Sequence, residues 1–140
     1  MRLWHYKLIP VLPNKMLVAE WRECIAIKRQ WEKGTLKHRL VSYVKDYDKG
    51  YFFRYVESVR DEMCDRHINF NDKLWKEIMD FCNINNNSVF NHYPEHDERY
   101  LRQCLYNLEE KAMRGIISKD EWQKIYDKFK DFVDLWNYNS

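Results

Sequence analysis

Glycine and proline are scarce, with three of each in 140 residues. So little turn punctuation excludes a fold of many short strands and leaves room for long uninterrupted helices. No apolar run approaches the roughly 18 residues of a membrane span. The opening Met1-Arg2-Leu3-Trp4-His5-Tyr6-Lys7 leads to Pro10 and Pro13 rather than to an apolar signal core, so a soluble, unexported chain is expected. The four cysteines, Cys24, Cys64, Cys82 and Cys104, form no C-x-x-C pair and lie far apart. That argues against a disulfide frame or a zinc site and leaves them as reduced core residues. Also missing are the G-x-S-x-G, P-loop and G-x-G-x-x-G patterns, and with them the common signatures of hydrolases, NTPases and dinucleotide enzymes.

What remains suits one helical domain. Hydrophobic residues make up 45% of the chain and aromatics 16%, enough for a core in a single domain over residues 1–140. Apolar spacing predicts an all-α fold of about six helices behind an extended N-terminal segment. The first helix runs from an Asn14 cap to about Glu32, burying Leu17, Val18, Trp21, Cys24, Ile25 and Trp31. A second spans about Leu36 to Tyr47 with Leu40, Tyr43, Val44 and Tyr47 inward, and a third runs from about Tyr51 to His67. A fourth starts at Asn71 or Asp72 and a fifth after Pro94. The last follows Ser118-Lys119-Asp120-Glu121, a capping-box pattern, and directs Ile125, Phe129, Val133 and Trp136 inward. Residues 1–13 are expected to be extended because Pro10 and Pro13 disfavour α-helix.

The net charge of +2 conceals an asymmetry. Residues 1–54 hold 12 Lys/Arg against 5 Asp/Glu, whereas residues 55–140 hold 12 against 17. A basic face suited to a polyanion is one outcome, and a folded mixture with no patch is the other. Lys28, Arg29, Lys33, Lys37, His38 and Arg39 cluster where the first two helices meet, and mobile cations of this kind suit phosphate contacts. Glu23 lies opposite the Leu17/Trp21/Ile25 stripe, between Ala19 and Ala26, in a notch that would admit a ligand. By pattern alone, a solvent-facing glutamate is the favoured reading there. Arg22, on the neighbouring face, is a phosphate candidate. His92, His96 and Asp97 do not make a convincing metal site, because Pro94 breaks a helical i,i+4 pair.

Leu17-Val18-Ala19-Glu20-Trp21-Arg22-Glu23 resembles the Leu-x-Ala-Glu-aromatic-Arg-Glu segment of the pyrimidine-dimer DNA glycosylases of the phage endonuclease V type, at the same distance from the N-terminus. Lys37-His38, Tyr51-Phe52-Phe53, Leu108-Glu109-Glu110-Lys111 and the ending Leu135-Trp136-Asn137-Tyr138 fit the same family more loosely. The resemblance implies a DNA repair glycosylase with abasic-site lyase activity, acting without cofactor or metal on damaged duplex DNA and extruding a base. Its nucleophile would be the N-terminal α-amine, here that of Met1, and Glu23 would be the catalytic carboxylate. An α-amine ordinarily titrates at about 7.7–8, so a usable fraction is uncharged at neutral pH. The DNA contacts implied by the resemblance or by charge are Arg2, Arg22, Lys28, Arg29, Lys37, His38, Arg39 and Lys111.

Where the phage enzymes carry Thr after the initiator Met, this chain has Arg2, whose bulk blocks removal of Met1. Family arginines are replaced by Ala26 and Asn107, and a family histidine by Met16. A monomer is expected, located in the cytoplasm at the nucleoid or in the host cell of a phage or virus. Two alternatives are a non-catalytic DNA-binding or interaction protein that kept the fold and lost the nucleophile, and an enzyme acting on a free nucleotide.

Overall fold

A computed structural model describes residues 1–139, with side chains described through residue 132. Among these residues there are five α-helices, two 3-10 segments and no strand. The helices are α1 (Asn14–Lys33), α2 (Lys49–Asp65), α3 (Asp72–Cys82), α4 (Glu98–Met113) and α5 (Lys119–Asn139). Helix α1 packs against α2 and α3, and α4 packs against α5. Leu17, Cys24, Phe52, Val56, Leu105 and Leu108 lie fully buried in one continuous core. The inward placement expected for Val133 and Trp136, and the side chains of the Leu135-Trp136-Asn137-Tyr138 ending, lie beyond the residues whose side chains are described.

The caps explain most of the boundaries. Asp48, Asn71 and Asp97 each accept a backbone N–H from the first turn of α2, α3 and α4. The capping box forms as expected: Ser118 N donates to Glu121 Oε1 at 2.7 Å, and Glu121 N donates to Ser118 Oγ at 3.1 Å. Gly115 takes the left-handed backbone that ends α4, with φ +74°.

Four expectations need correction. The helix predicted over 36–47 reduces to a 3-10 segment, Ser42–Asp46, and Leu40 is exposed. Lys45 Nζ instead caps the Leu36 carbonyl at 2.7 Å, which holds this stretch as a loop. Residues Tyr6–Val11 form a 3-10 helix rather than an extended segment. Pro10 is tolerated there because a short 3-10 segment asks few donors of its interior, and Arg66 caps its far end with a bond to Leu12 O at 2.6 Å. Pro13, not Asn14, caps α1; the Asn14 side chain accepts from Arg66 instead. Finally, Cys64 is exposed, while the other three cysteines are buried.

Gly50 sits where α2 meets the 83–91 loop. Asp48 Oδ1 accepts both Gly50 N (2.8 Å) and Val89 N (3.2 Å), and a Cβ on Gly50 would stand 2.2 Å from the Val89 carbonyl oxygen. Gly50→Ala is therefore expected to lower stability by about 1–3 kcal/mol, because backbone must move to admit the methyl. Urea unfolding with an unchanged midpoint would contradict this close approach.

Candidate active site

Residues 1–5 form a strap gripped by three helices. Tyr100 OH on α4 donates to the Leu3 carbonyl. Trp4 N donates to Glu20 Oε1 on α1 at 3.1 Å, and Tyr55 OH on α2 lies 2.6 Å from Trp4 O. Leu3, Trp4 and His5 are all buried. Just past the strap, Tyr6 N donates to His96 Nδ1 at 3.2 Å, and His96 Nε2 meets Tyr43 OH at 2.7 Å. Because Nδ1 accepts, the ring proton of neutral His96 belongs on Nε2. Both nitrogens are thereby occupied by protein partners.

The grip delivers Met1 and Arg2 to a cavity of about 260 Å³ lined also by Trp4, Met16, Ala19, Glu20, Glu23, Lys111 and Ile116. Met16, Ala19, Glu20 and Glu23 come from α1 at spacings of three and four, which places them on one helical face. Lys111 comes from the last turn of α4, and the Gly115 turn brings Ile116 beside it. Glu23 Oε2 is buried and has no hydrogen-bond partner among the described residues. Buried polar atoms are nearly always paired, so an orphaned carboxylate oxygen in a cavity is characteristic of a site built to meet something.

Sequence reasoning brought only part of this set together. Met1, Arg2, Glu23 and Lys111 meet at the cavity. Arg22 does not; with Ala26 and Arg29 it lines a separate hollow on another face of α1. Lys28 is buried, 3.0 Å from Glu32 and 3.2 Å from Glu77, and Arg29 Nε lies 2.9 Å from Glu77. Both cations are thus engaged within the fold. Lys37, His38 and Arg39 are exposed on the loop after α1 and line none of these cavities.

Sequence reasoning named Lys111 but not the cationic track along α4 to which it belongs. Two further hollows share Arg2 with the first: one carries Arg114 and Lys111, and the other, about 490 Å³, carries Arg99, Arg102, Tyr100 and Tyr106. Arg99 and Arg102 are three apart, a signal readable once α4 is placed.

Comparison with protein families matches residues 1–77 to the model described as pyrimidine dimer DNA glycosylase. The chain belongs to the pyrimidine dimer DNA glycosylase family. The matched stretch holds the strap, α1, α2 and part of α3, and so includes Met1, Glu20, Glu23 and Tyr55. No curated protein and no solved structure matches the chain. Membership in this glycosylase family makes DNA the substrate. Among the described residues no helix is long and apolar enough to cross a membrane, and no group of three His, Cys, Asp or Glu side chains is placed to hold a metal.

The groups that burial perturbs around the strap of this glycosylase include two histidines and a carboxyl. Burial lowers His5 to about 4, with the bond to the His96 backbone and the Asp97 charge opposing it and Lys7 adding to it. Burial likewise brings His96 to about 3. Burial raises Glu20 to about 8, opposed by the bond that Trp4 N donates to it. The folded histidines bind fewer protons than the unfolded chain below about 6.5, so their contribution to stability is lost as pH falls. Folded Glu20 binds more protons than the unfolded chain between about 4.5 and 8, so its contribution is lost as pH rises through that window. Between about 4.5 and 6.5 the two histidines outweigh the one carboxyl, whereas above 6.5 only Glu20 acts. Stability should therefore peak near pH 6.5 and fall by about 2 kcal/mol by pH 8, at roughly 1.4 kcal/mol per unit. Thermal melts across pH 4–9 check this; a stability that rises from 6.5 to 8 contradicts the placement of Glu20.

Proposed function

We propose that this glycosylase excises a base at pyrimidine dimers or related lesions in duplex DNA and then cuts the strand, using the Met1 α-amine as nucleophile and Glu23 as the acid–base residue. The observation that carries the reading is that Met1 and the unpartnered carboxylate oxygen of Glu23 face one cavity. The uncharged amine attacks C1′ of the damaged nucleotide as the C1′–N bond breaks, and its electron pair leaves with the base, which takes up a proton. Loss of the amine proton and opening of the C1′–O4′ bond give the Schiff base. A carboxylate beside C1′ stabilises the cationic character of this centre. Glu23 then accepts the C2′ proton, the C3′–O bond breaks, and the 3′ phosphate leaves by β-elimination. Water hydrolyses the remaining imine and frees the amine.

The DNA backbone would follow the cations that surround the cavity. Arg2 and Lys111 stand at its mouth, and Arg114, Arg99 and Arg102 continue along α4. Arg22 would meet the other side of the reacting nucleotide from its separate face of α1. Extrusion of a base would give the amine access to the sugar. Lys28 takes no part in this surface, because it is buried between Glu32 and Glu77, whereas Arg29 is exposed beside Arg22.

The test is incubation with dimer-containing and abasic duplexes, with and without borohydride. Cleavage together with a covalent protein–DNA adduct is expected. Tight, salt-sensitive binding with neither cleavage nor adduct would instead indicate a DNA-binding protein that has lost the chemistry.

A further inference from the structure

Glu20 and Tyr55 have no role in the reaction above, yet they hold the strap directly behind the amine. Tyr55 Oη lies 2.6 Å from Trp4 O and 2.7 Å from Glu20 Oε1. Both are ordinary O–H···O distances. A phenol has one hydrogen and a backbone carbonyl has none, so the two contacts together need a second proton. Glu20 is the only one of the three that can supply it. When it does, Glu20 donates to Tyr55, Tyr55 donates to Trp4 O, and Trp4 N donates back to Glu20 Oε1 at 3.1 Å. The ring is closed, and it passes through one residue of the strap.

We propose that protonated Glu20 is the positioning residue for the amine: the ring it closes through Tyr55 and Trp4 sets the N-terminus against Glu23, and loss of its proton opens the ring and disables the amine. The proposal rests on the reading of Met1 and Glu23 given above. Glu20 is only 2% exposed yet lines the cavity with Met1, so its charge state reaches the amine. Ionised Glu20 would leave one short oxygen–oxygen contact without a proton. It would also attract the amine in its ammonium form, which is not nucleophilic. The groups that face Glu20 are Glu23 and Cys24 on its own helix, Tyr55 on α2, Tyr43 on the second 3-10 segment, Cys104 and Lys111 on α4, and the α-amine and Arg2 of the strap. Burial is the largest influence and holds the proton up to about pH 8.

The experiment is the single-turnover rate of borohydride trapping on an abasic duplex from pH 6 to 10. Wild-type trapping is expected to decline above about pH 8. Glu20→Gln cannot ionise, but its single oxygen cannot both donate and accept. It should trap within roughly tenfold of wild type at pH 7 and lose the alkaline decline. Glu20→Ala frees the strap and should slow trapping roughly a hundredfold at every pH, the scale of a small misplacement of reacting groups. Tyr55→Phe removes both the acceptor of the Glu20 proton and the donor to Trp4 O, so the ring cannot close at any pH: trapping should slow at pH 7 and the alkaline decline should flatten, which loss of packing alone would not do. If Glu20→Ala does not fold, as judged by circular dichroism, Glu20→Gln and Tyr55→Phe decide the matter. A wild-type decline retained in Glu20→Gln, or left in place by Tyr55→Phe, overturns the proposal while the amine reading stands. Wild type that traps at no pH overturns both.

Discussion

Glu23→Gln is expected to reduce both base excision and strand cleavage by at least about a thousandfold, the scale seen when a group aimed at developing charge is removed. Binding to duplex DNA should persist, because the cations of the α4 track are untouched. Glutamine matches glutamate in volume, so the cavity keeps its shape. What it lacks is the negative charge beside C1′ and a site that can take the C2′ proton. The variant should be at least as stable as wild type, since Glu23 Oε2 already lacks a partner. A carboxylate oxygen left unpaired in a buried position costs stability, and such costs concentrate at functional sites. A Glu23→Gln enzyme that cleaves within tenfold of wild type would remove Glu23 from the mechanism.

Extending the chain by two residues ahead of Met1 should be equally damaging. The extension turns the Met1 amine into an amide and moves the free amine by up to about 7 Å, at 3.3–3.6 Å per extended residue. The strap cannot slide to compensate, because Leu3 and Trp4 are buried and held by Tyr100, Glu20 and Tyr55. Trapping should fall at least about a thousandfold, as for loss of a nucleophile acting within a unit. Salt-dependent DNA binding should remain. Retained trapping in the extended protein would point to Lys111, the other amine at the cavity.

The sequence was most legible where a pattern is local. The stripe of α1 and the Ser118 capping box depend on neighbours three or four residues away, so spacing alone places them. The 36–47 stretch misled because Leu40, Tyr43, Val44 and Tyr47 have helical spacing, yet a bond from Lys45 to the Leu36 carbonyl holds a loop. Lys28 and Arg29 looked like free cations because Glu77, the partner they share, lies on α3, some 48 residues along the chain; only the Lys28–Glu32 pair, four apart on α1, was readable locally. Long-range pairing of this kind leaves no local trace.

The candidate site divides in the same way. Glu23 was visible through its notch and its motif, and Met1 through the resemblance. Glu20 stood in the same motif, but its role depends on Tyr55 and Trp4, which reach it only after α2 and the strap have packed. One signal for it existed in the sequence: a carboxylate three residues after Leu17 and four before Cys24, inside the buried stripe of α1. A charge in that position needs a partner or a proton.

The central claim is that residue 1 supplies the nucleophile. It is tested most directly by trapping the protein on an abasic duplex with borohydride, digesting the adduct and locating the modified peptide by mass spectrometry. The account predicts the sugar remnant on the α-amine of Met1, in the peptide that begins the chain. A remnant on Lys111, or no adduct under conditions where the strand is cut, would contradict it.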